Sequence, residues 1–201
     1  MPHYRPGPAV MRVAFACALA FACRPLAAQG LPHVILRTGL GEITLEIDSI
    51  HAPVSATNFL RYVDGGFYGG GAFRRTVTPD NQPQSPVKIE VIQAGMDSTR
   101  RPQAFGPIPL ERTSVSGLLH KDGVLSMARG GPDTATDQFF ICIGNQPELN
   151  FSGKRNADGQ GFAAFGRVTA GMDIVRKIQH SPAEAQRLSP FIPILDARRV
   201  P

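Results

Sequence analysis

The 201-residue chain has no tryptophan, three tyrosines and three cysteines, and only 18% of its residues are charged. Its longest uncharged apolar stretch, Val13–Cys23, runs for 11 residues. A helix crossing a bilayer needs about 20, so no spanning segment is expected. No CxxC, HExxH, GxSxG or phosphate-loop spacing occurs. The commonest zinc, redox, serine-nucleophile and nucleotide signatures are therefore missing. Gly65–Gly71 is glycine-rich but is not followed by Lys-Ser or Lys-Thr. Gly159–Ala164 matches GxGxxA formally, yet it follows a polar loop instead of a strand, the wrong setting for a dinucleotide. The five histidines are scattered, and neither a cofactor nor a metal is expected. The 21 glycines and 18 prolines make up about a fifth of the chain. That implies many turns but falls short of low-complexity composition, about 25–30%. Collagen, coiled coil and intrinsic disorder are thereby disfavoured, and a single β-rich domain is expected.

Residues 1–29 read as an export signal. Arg5 and Arg12 supply a positive start, Val13–Cys23 an apolar centre, and Leu26-Ala27-Ala28 small residues for cleavage near Gln29. Phe15 and Phe21 stand where a small residue usually precedes a lipidated cysteine, which disfavours an anchor on Cys17 or Cys23. The domain then spans 30–201, in the periplasm or outside the cell. Cleavage removes Arg5, Arg12 and Arg24 and no acid. The basic count falls from 21 to 18 against 16 acidic residues, and the net charge from +5 to +2. The electrostatic case for nucleic acid or a membrane surface lapses with it. Only Cys142 remains, so no internal disulfide is expected.

Within 30–201, His33–Asp48 reads as a hairpin around Gly39-Leu40-Gly41, with Ile43, Leu45 and Ile47 on one face. Pro53 opens a helix that ends before Asp64-Gly65-Gly66, with Val54, Phe59, Leu60 and Val63 inward. Strand-like runs follow at 72–77, 87–93, 123–129, 138–143, 162–168 and 194–200. Gly171–Gln179 reads as a second helix with Met172, Val175 and Ile178 on one side. Thr78–Pro86 and Ser152–Gly161 read as long polar loops. Eight or so strands and two helices point to a mainly β fold, a closed antiparallel barrel with helical caps.

Five blocks resemble the cyclophilin family of peptidyl-prolyl cis-trans isomerases. They are Phe73–Val77 (FRRTV), Val91–Gly95 (VIQAG), Gly123–Thr134 (GVLSMARGGPDT), Asp137–Ile141 (DQFFI) and Phe162–Val168 (FAAFGRV). Their order and spacing cover almost all of 30–201, in the style of a secreted bacterial member. The resemblance implies a closed eight-stranded antiparallel β-barrel capped by two α-helices. It also implies isomerisation of X–Pro bonds in extended or unfolded polypeptides. No extra segment devoted to association is seen, so a monomer is expected. By the same resemblance Arg75 is the catalytic donor and Gln93 holds the substrate backbone. Val91, Met127, Phe140, Leu149 and Phe162 fall at or near positions that line the family's proline pocket. Ala128 and Arg129 match the strand that pairs with substrate, and Gly130–Thr134 a neighbouring shallow pocket.

Several residues depart from the family pattern. Arg74 replaces a common histidine, and two adjacent arginines leave the inward one open to a one-residue slip; the Phe73 match and strand parity favour Arg75. Glu90 stands where many members have a pocket phenylalanine, Val91 replaces methionine, and Glu148 lies near a common tryptophan. Phe162 replaces a common histidine. Glu90, Val91 and Glu148 motivate an alternative reading, a peptide-binding module or holdase chaperone that uses the same groove without useful turnover.

Overall fold

The computed structural model describes residues 30–200 together with Met1 and His3. The remainder of the expected signal lies outside the described residues. Nine strands form one antiparallel sheet: β1 (His33–Thr38), β2 (Gly41–Ile47), β3 (Ala72–Val77), β4 (Val91–Gly95), β5 (Val124–Met127), β6 (Phe139–Cys142), β7 (Ala163–Ala170), β8 (Ala183–Glu184) and β9 (Arg187–Val200). The order β1-β2-β7-β5-β6-β4-β3-β9 closes through a β1–β9 pairing into an eight-stranded barrel. The two-residue β8 pairs with β9 alone. Helices α1 (Pro53–Asp64) and α3 (Met172–Gln179) pack on the barrel, and a single-turn helix, α2 (Thr113–Ser116), adds to the two expected.

The barrel interior is apolar because alternate residues of each strand point inward. Leu36, Ile43, Leu45, Phe73, Ile92, Leu125, Met127, Phe139, Ile141 and Phe165 are all buried there. Phe59 of α1 reaches into this core, 5.2 Å from Phe139 edge-on and 5.3 Å from both Tyr68 and Phe165. The inward face of α1 is Ala56, Phe59, Leu60 and Val63. Val54, expected inward, is 38% exposed. A period of about 3.6 residues puts it on the opposite side of the helix from Ala56, Phe59 and Val63. Ala52 cannot cap α1; the Glu111 carboxylate does so from afar, accepting the Val54 and Ser55 amides at 2.9 and 2.6 Å.

A second, smaller apolar cluster lies on the outer face: Val77, Ile89, Val91, Phe140, Cys142 and Leu149, with Ala128 and Phe162 against it. All four residues of β6 are therefore buried, two facing each cluster. The strand expected from Val87 begins only at Val91. Buried Gln82 is the reason. Its Nε2 donates to the carbonyls of Thr78 and Ile89, both at 2.7 Å, and its Oε1 accepts the Ile89 amide. The backbone at Ile89 thus bonds to a side chain in place of a neighbouring strand. The last strand, expected over 194–200, starts at Arg187 despite Pro190 and Pro193. Bulges in its pairings with β1 and β3 accompany them.

Candidate active site

The outer cluster floors an open cavity of about 430 Å³. Register places its polar edge. Arg75 on β3 lies opposite Gln93 on β4, and Gln93 lies opposite Phe140 on β6. Three neighbouring strands therefore put a guanidinium, an amide and an aromatic ring in one row.

Simple alternation from Phe73 would turn Arg75 into the barrel. A register shift between Phe73 and Arg75 prevents this. Phe73 points inward and is fully buried. Arg74 turns aside, with Nη1 donating to the Met96 carbonyl at 3.3 Å and its guanidinium 5.7 Å from the Phe191 ring. Arg75 is left facing the cavity. Bulge geometry, and not strand parity, selects between the two arginines.

Arg75 is held on two sides by neutral groups. Its Nη1 donates to Gln93 Oε1 at 3.0 Å, while Nε and Nη2 donate to Gln186 Oε1 at 2.9 and 2.6 Å. Gln93 Nε2 donates to Gln138 Oε1 at 2.7 Å, and Gln186 Nε2 to the Asn81 carbonyl at 3.0 Å. Burial, and then the nearby Arg155 charge, pulls the Arg75 guanidinium below the ordinary arginine value. It stays cationic at any ordinary pH. No carboxylate lines the cavity.

Beside this cation the wall is apolar. Val91, Phe140, Leu149 and Phe162 are all on it, with Phe162 edge-on to Phe140 at 5.3 Å and 89°. Ala128 and Arg129 form one side. The Arg129 guanidinium stacks over Phe162 at 5.0 Å and grips Asp158 at 2.7 and 2.9 Å, tying the 152–161 loop to the barrel. Gly130 and Thr134 continue the wall, and the Thr134 hydroxyl accepts the Gly130 amide at 3.1 Å.

Eight of the nine expected site residues thus share one cavity. Met127 does not. It is 1% exposed and belongs to the main core, because its place on β5 points it into the barrel. Glu90 also departs from expectation: it turns from the cavity and accepts from Gln179 Nε2 at 2.9 Å, and Ile89 lines the wall in its stead. Glu148 accepts the Lys154 amide at 2.8 Å and is likewise off the cavity. Cys142 is fully buried, and burial raises its thiol pKa. No group of three or more His, Cys, Asp or Glu side chains suited to a metal occurs among the described residues.

Residues 33–199 match the family model for cyclophilin-type peptidyl-prolyl cis-trans isomerases. The chain belongs to this family. Among its relatives, a peptidyl-prolyl cis-trans isomerase of Acinetobacter baylyi is 35% identical over 161 residues, covering 80% of this chain and 78% of that one. Peptidyl-prolyl cis-trans isomerase A of Dickeya dadantii is 36% identical over 166 residues, covering 82% and 79%. The fold also matches the crystal structure of a cyclophilin-type isomerase of Cryptosporidium parvum, at a TM-score of 0.68 and 21% identity, over 85% of this chain and 98% of that one.

Several residues on or behind the cavity of this cyclophilin carry little or no signal in the sequence. Gln138 sits inside a resembling block and was legible as a neighbour of Phe139 and Phe140. Gln186 and Arg155 come from loops without any pattern. His120 lies behind the aromatic floor, stacked on Phe140 at 6.0 Å and 17°. Asn150 Oδ1 accepts from both the His120 amide, at 3.0 Å, and Nδ1, at 2.8 Å. His120 Nε2 is then left to accept from the Ser126 hydroxyl at 2.9 Å.

Proposed function

We propose that this cyclophilin speeds cis–trans exchange of X–Pro bonds in extended polypeptides, with Arg75 as the donor to the prolyl nitrogen. The X–Pro amide has nearly balanced isomers separated by about 18–20 kcal/mol. The barrier exists because the nitrogen lone pair is delocalised into the carbonyl. A donor directed at that nitrogen localises the pair and weakens the partial double bond. The group must be fixed, always charged and set beside a pocket for the ring. The observation that carries the reading is Arg75, clamped by Gln93 and Gln186 next to the Phe140–Phe162 wall with no carboxylate to neutralise it. Partial removal from water strengthens its action on a nearby dipole. Gln93 is suited to orient the substrate backbone, and the edge beyond Ala128 to pair with an extended chain. No nucleophile or proton transfer is needed.

Of the residues behind the non-catalytic reading, Glu90 and Glu148 have their carboxylates engaged off the cavity, and Val91 is an apolar part of its wall. The export signal read in 1–29 supports clients that are themselves exported chains folding outside the cytoplasm. Exchange spectroscopy on a short Ala-Pro peptide, with and without catalytic amounts of protein, tests the activity. Cis and trans signals that exchange much faster than the uncatalysed ~10–100 s are expected. Binding without faster exchange would return the binding-module reading.

A further inference from the structure

Arg155 reaches from the 152–161 loop across the end of the cavity to the segment before β4. Its Nη1 lies 2.7 Å from both Gln82 Oε1 and Ser85 Oγ and 2.6 Å from the Val87 carbonyl, its two N–H groups shared among these three acceptors. Three neutral acceptors fix the head. Nε and Nη2 have no protein partner among the described residues. Arg75 too is bound only by neutral amides. The third cavity arginine, Arg129, differs, because Asp158 neutralises it. No carboxylate lines the cavity; Glu90 accepts from Gln179, Glu148 from the Lys154 amide, and Asp158 pairs with Arg129. Two partly buried cations therefore share one cavity with no anion between them, and the Arg155 charge helps hold the Arg75 guanidinium below its ordinary value.

We propose that this cavity favours X–Pro segments with a carboxylate side chain next to the proline, and that Arg155 is the residue conferring the preference. The proposal rests on the isomerase reading above. An entering carboxylate would offer Arg155 the acceptor its free donors lack, and the planar guanidinium edge suits a carboxylate. The same carboxylate would offset the repulsion between Arg155 and Arg75 without competing for the two glutamines that aim Arg75. Because Arg155 is already immobilised by Gln82, Ser85 and Val87, little side-chain entropy remains to be lost on binding.

The test is a peptide series with Glu, Gln or Lys directly before or directly after a single proline. The expected result is a kcat/KM for Glu about three- to tenfold above Gln at one of the two positions, with Lys lowest. Raising the salt from about 20 mM to about 0.5 M should shrink that ratio. Arg155→Gln should abolish it, and Arg155→Lys should retain part of it. Arg155 also ties two loops together, so its loss is expected to slow every peptide to some degree. The Glu-to-Gln ratio is the readout that a purely structural role would leave unchanged. Equal rates for Glu and Gln at both positions, or a ratio that survives Arg155→Gln, would overturn the proposal while leaving the isomerase reading intact. Absence of turnover on every peptide would overturn the isomerase reading itself.

Discussion

Gln186 Oε1 accepts two hydrogen bonds from the Arg75 guanidinium, and so sets the angle at which that group faces the cavity. Gln186 lies in the tight turn between β8 and β9 and is itself held by the Asn81 carbonyl. Gln186→Leu should therefore free the guanidinium to rotate. Hydrogen bonds to a charged group are worth about 1.5–3 kcal/mol, so kcat should drop about tenfold with little change in KM or melting temperature. Gln186→Glu should also slow turnover, by pairing the cation with an anion. Steady-state kinetics on one X–Pro peptide checks both, and unchanged kcat in both variants would show that Gln186 does not position Arg75.

His120 predicts how stability depends on pH. Burial lowers its pKa to about 4, from the ordinary 6.5. The unfolded chain therefore takes up a proton near pH 6.5, while the folded one refuses it until about pH 4. Stability should be complete above pH 6.5 and fall progressively as the pH drops to 4. The shift corresponds to about 3 kcal/mol. Denaturant midpoints at pH 7 and pH 4.5 should differ clearly for wild type and less for His120→Gln. An equal difference in both proteins would assign the effect to another group.

The cap on α1 comes from Glu111, 57 residues away from Val54 in sequence. Glu111→Ala leaves two helix amides without their acceptor and removes a negative charge from a helix N-terminus. A loss of about 1 kcal/mol is expected, with turnover at 25 °C unchanged. Chemical denaturation measures it, and a loss below a few tenths would mean that water replaces the carboxylate.

Met127 and Phe140 lie on neighbouring strands yet face different clusters. Met127→Ala should destabilise the fold by about 2–5 kcal/mol while sparing the KM of the folded fraction. Phe140→Ala should raise KM severalfold, because it opens the apolar wall. A raised KM in Met127→Ala would return Met127 to the pocket.

The barrel, both main helices and the grouping of eight of the nine expected residues along one cavity were legible because most sit on strands, where alternation and short blocks carry the signal. What escaped has definite causes. The bulge at Arg74 breaks alternation at the very position where parity was used. Glu90 stands next to Ile89 in a segment whose backbone is captured by Gln82, so position in the sequence did not reveal which side chain faces the cavity. Gln186 and Arg155 act from loops, brought to Arg75 and to the cavity by tertiary closure alone. Met127 matches a family position at or near the pocket, but β5 points its side chain into the barrel core.

The role of Arg75 is tested most directly by comparing the isomerisation rate of one X–Pro peptide by wild type, Arg75→Ala and Arg74→Ala. Each tenfold loss in rate corresponds to about 1.4 kcal/mol of transition-state stabilisation. A loss of tenfold or more is expected in Arg75→Ala and of less than about threefold in Arg74→Ala, with both variants folded. Equal activity in Arg75→Ala and wild type, or a selective loss in Arg74→Ala, would contradict that role.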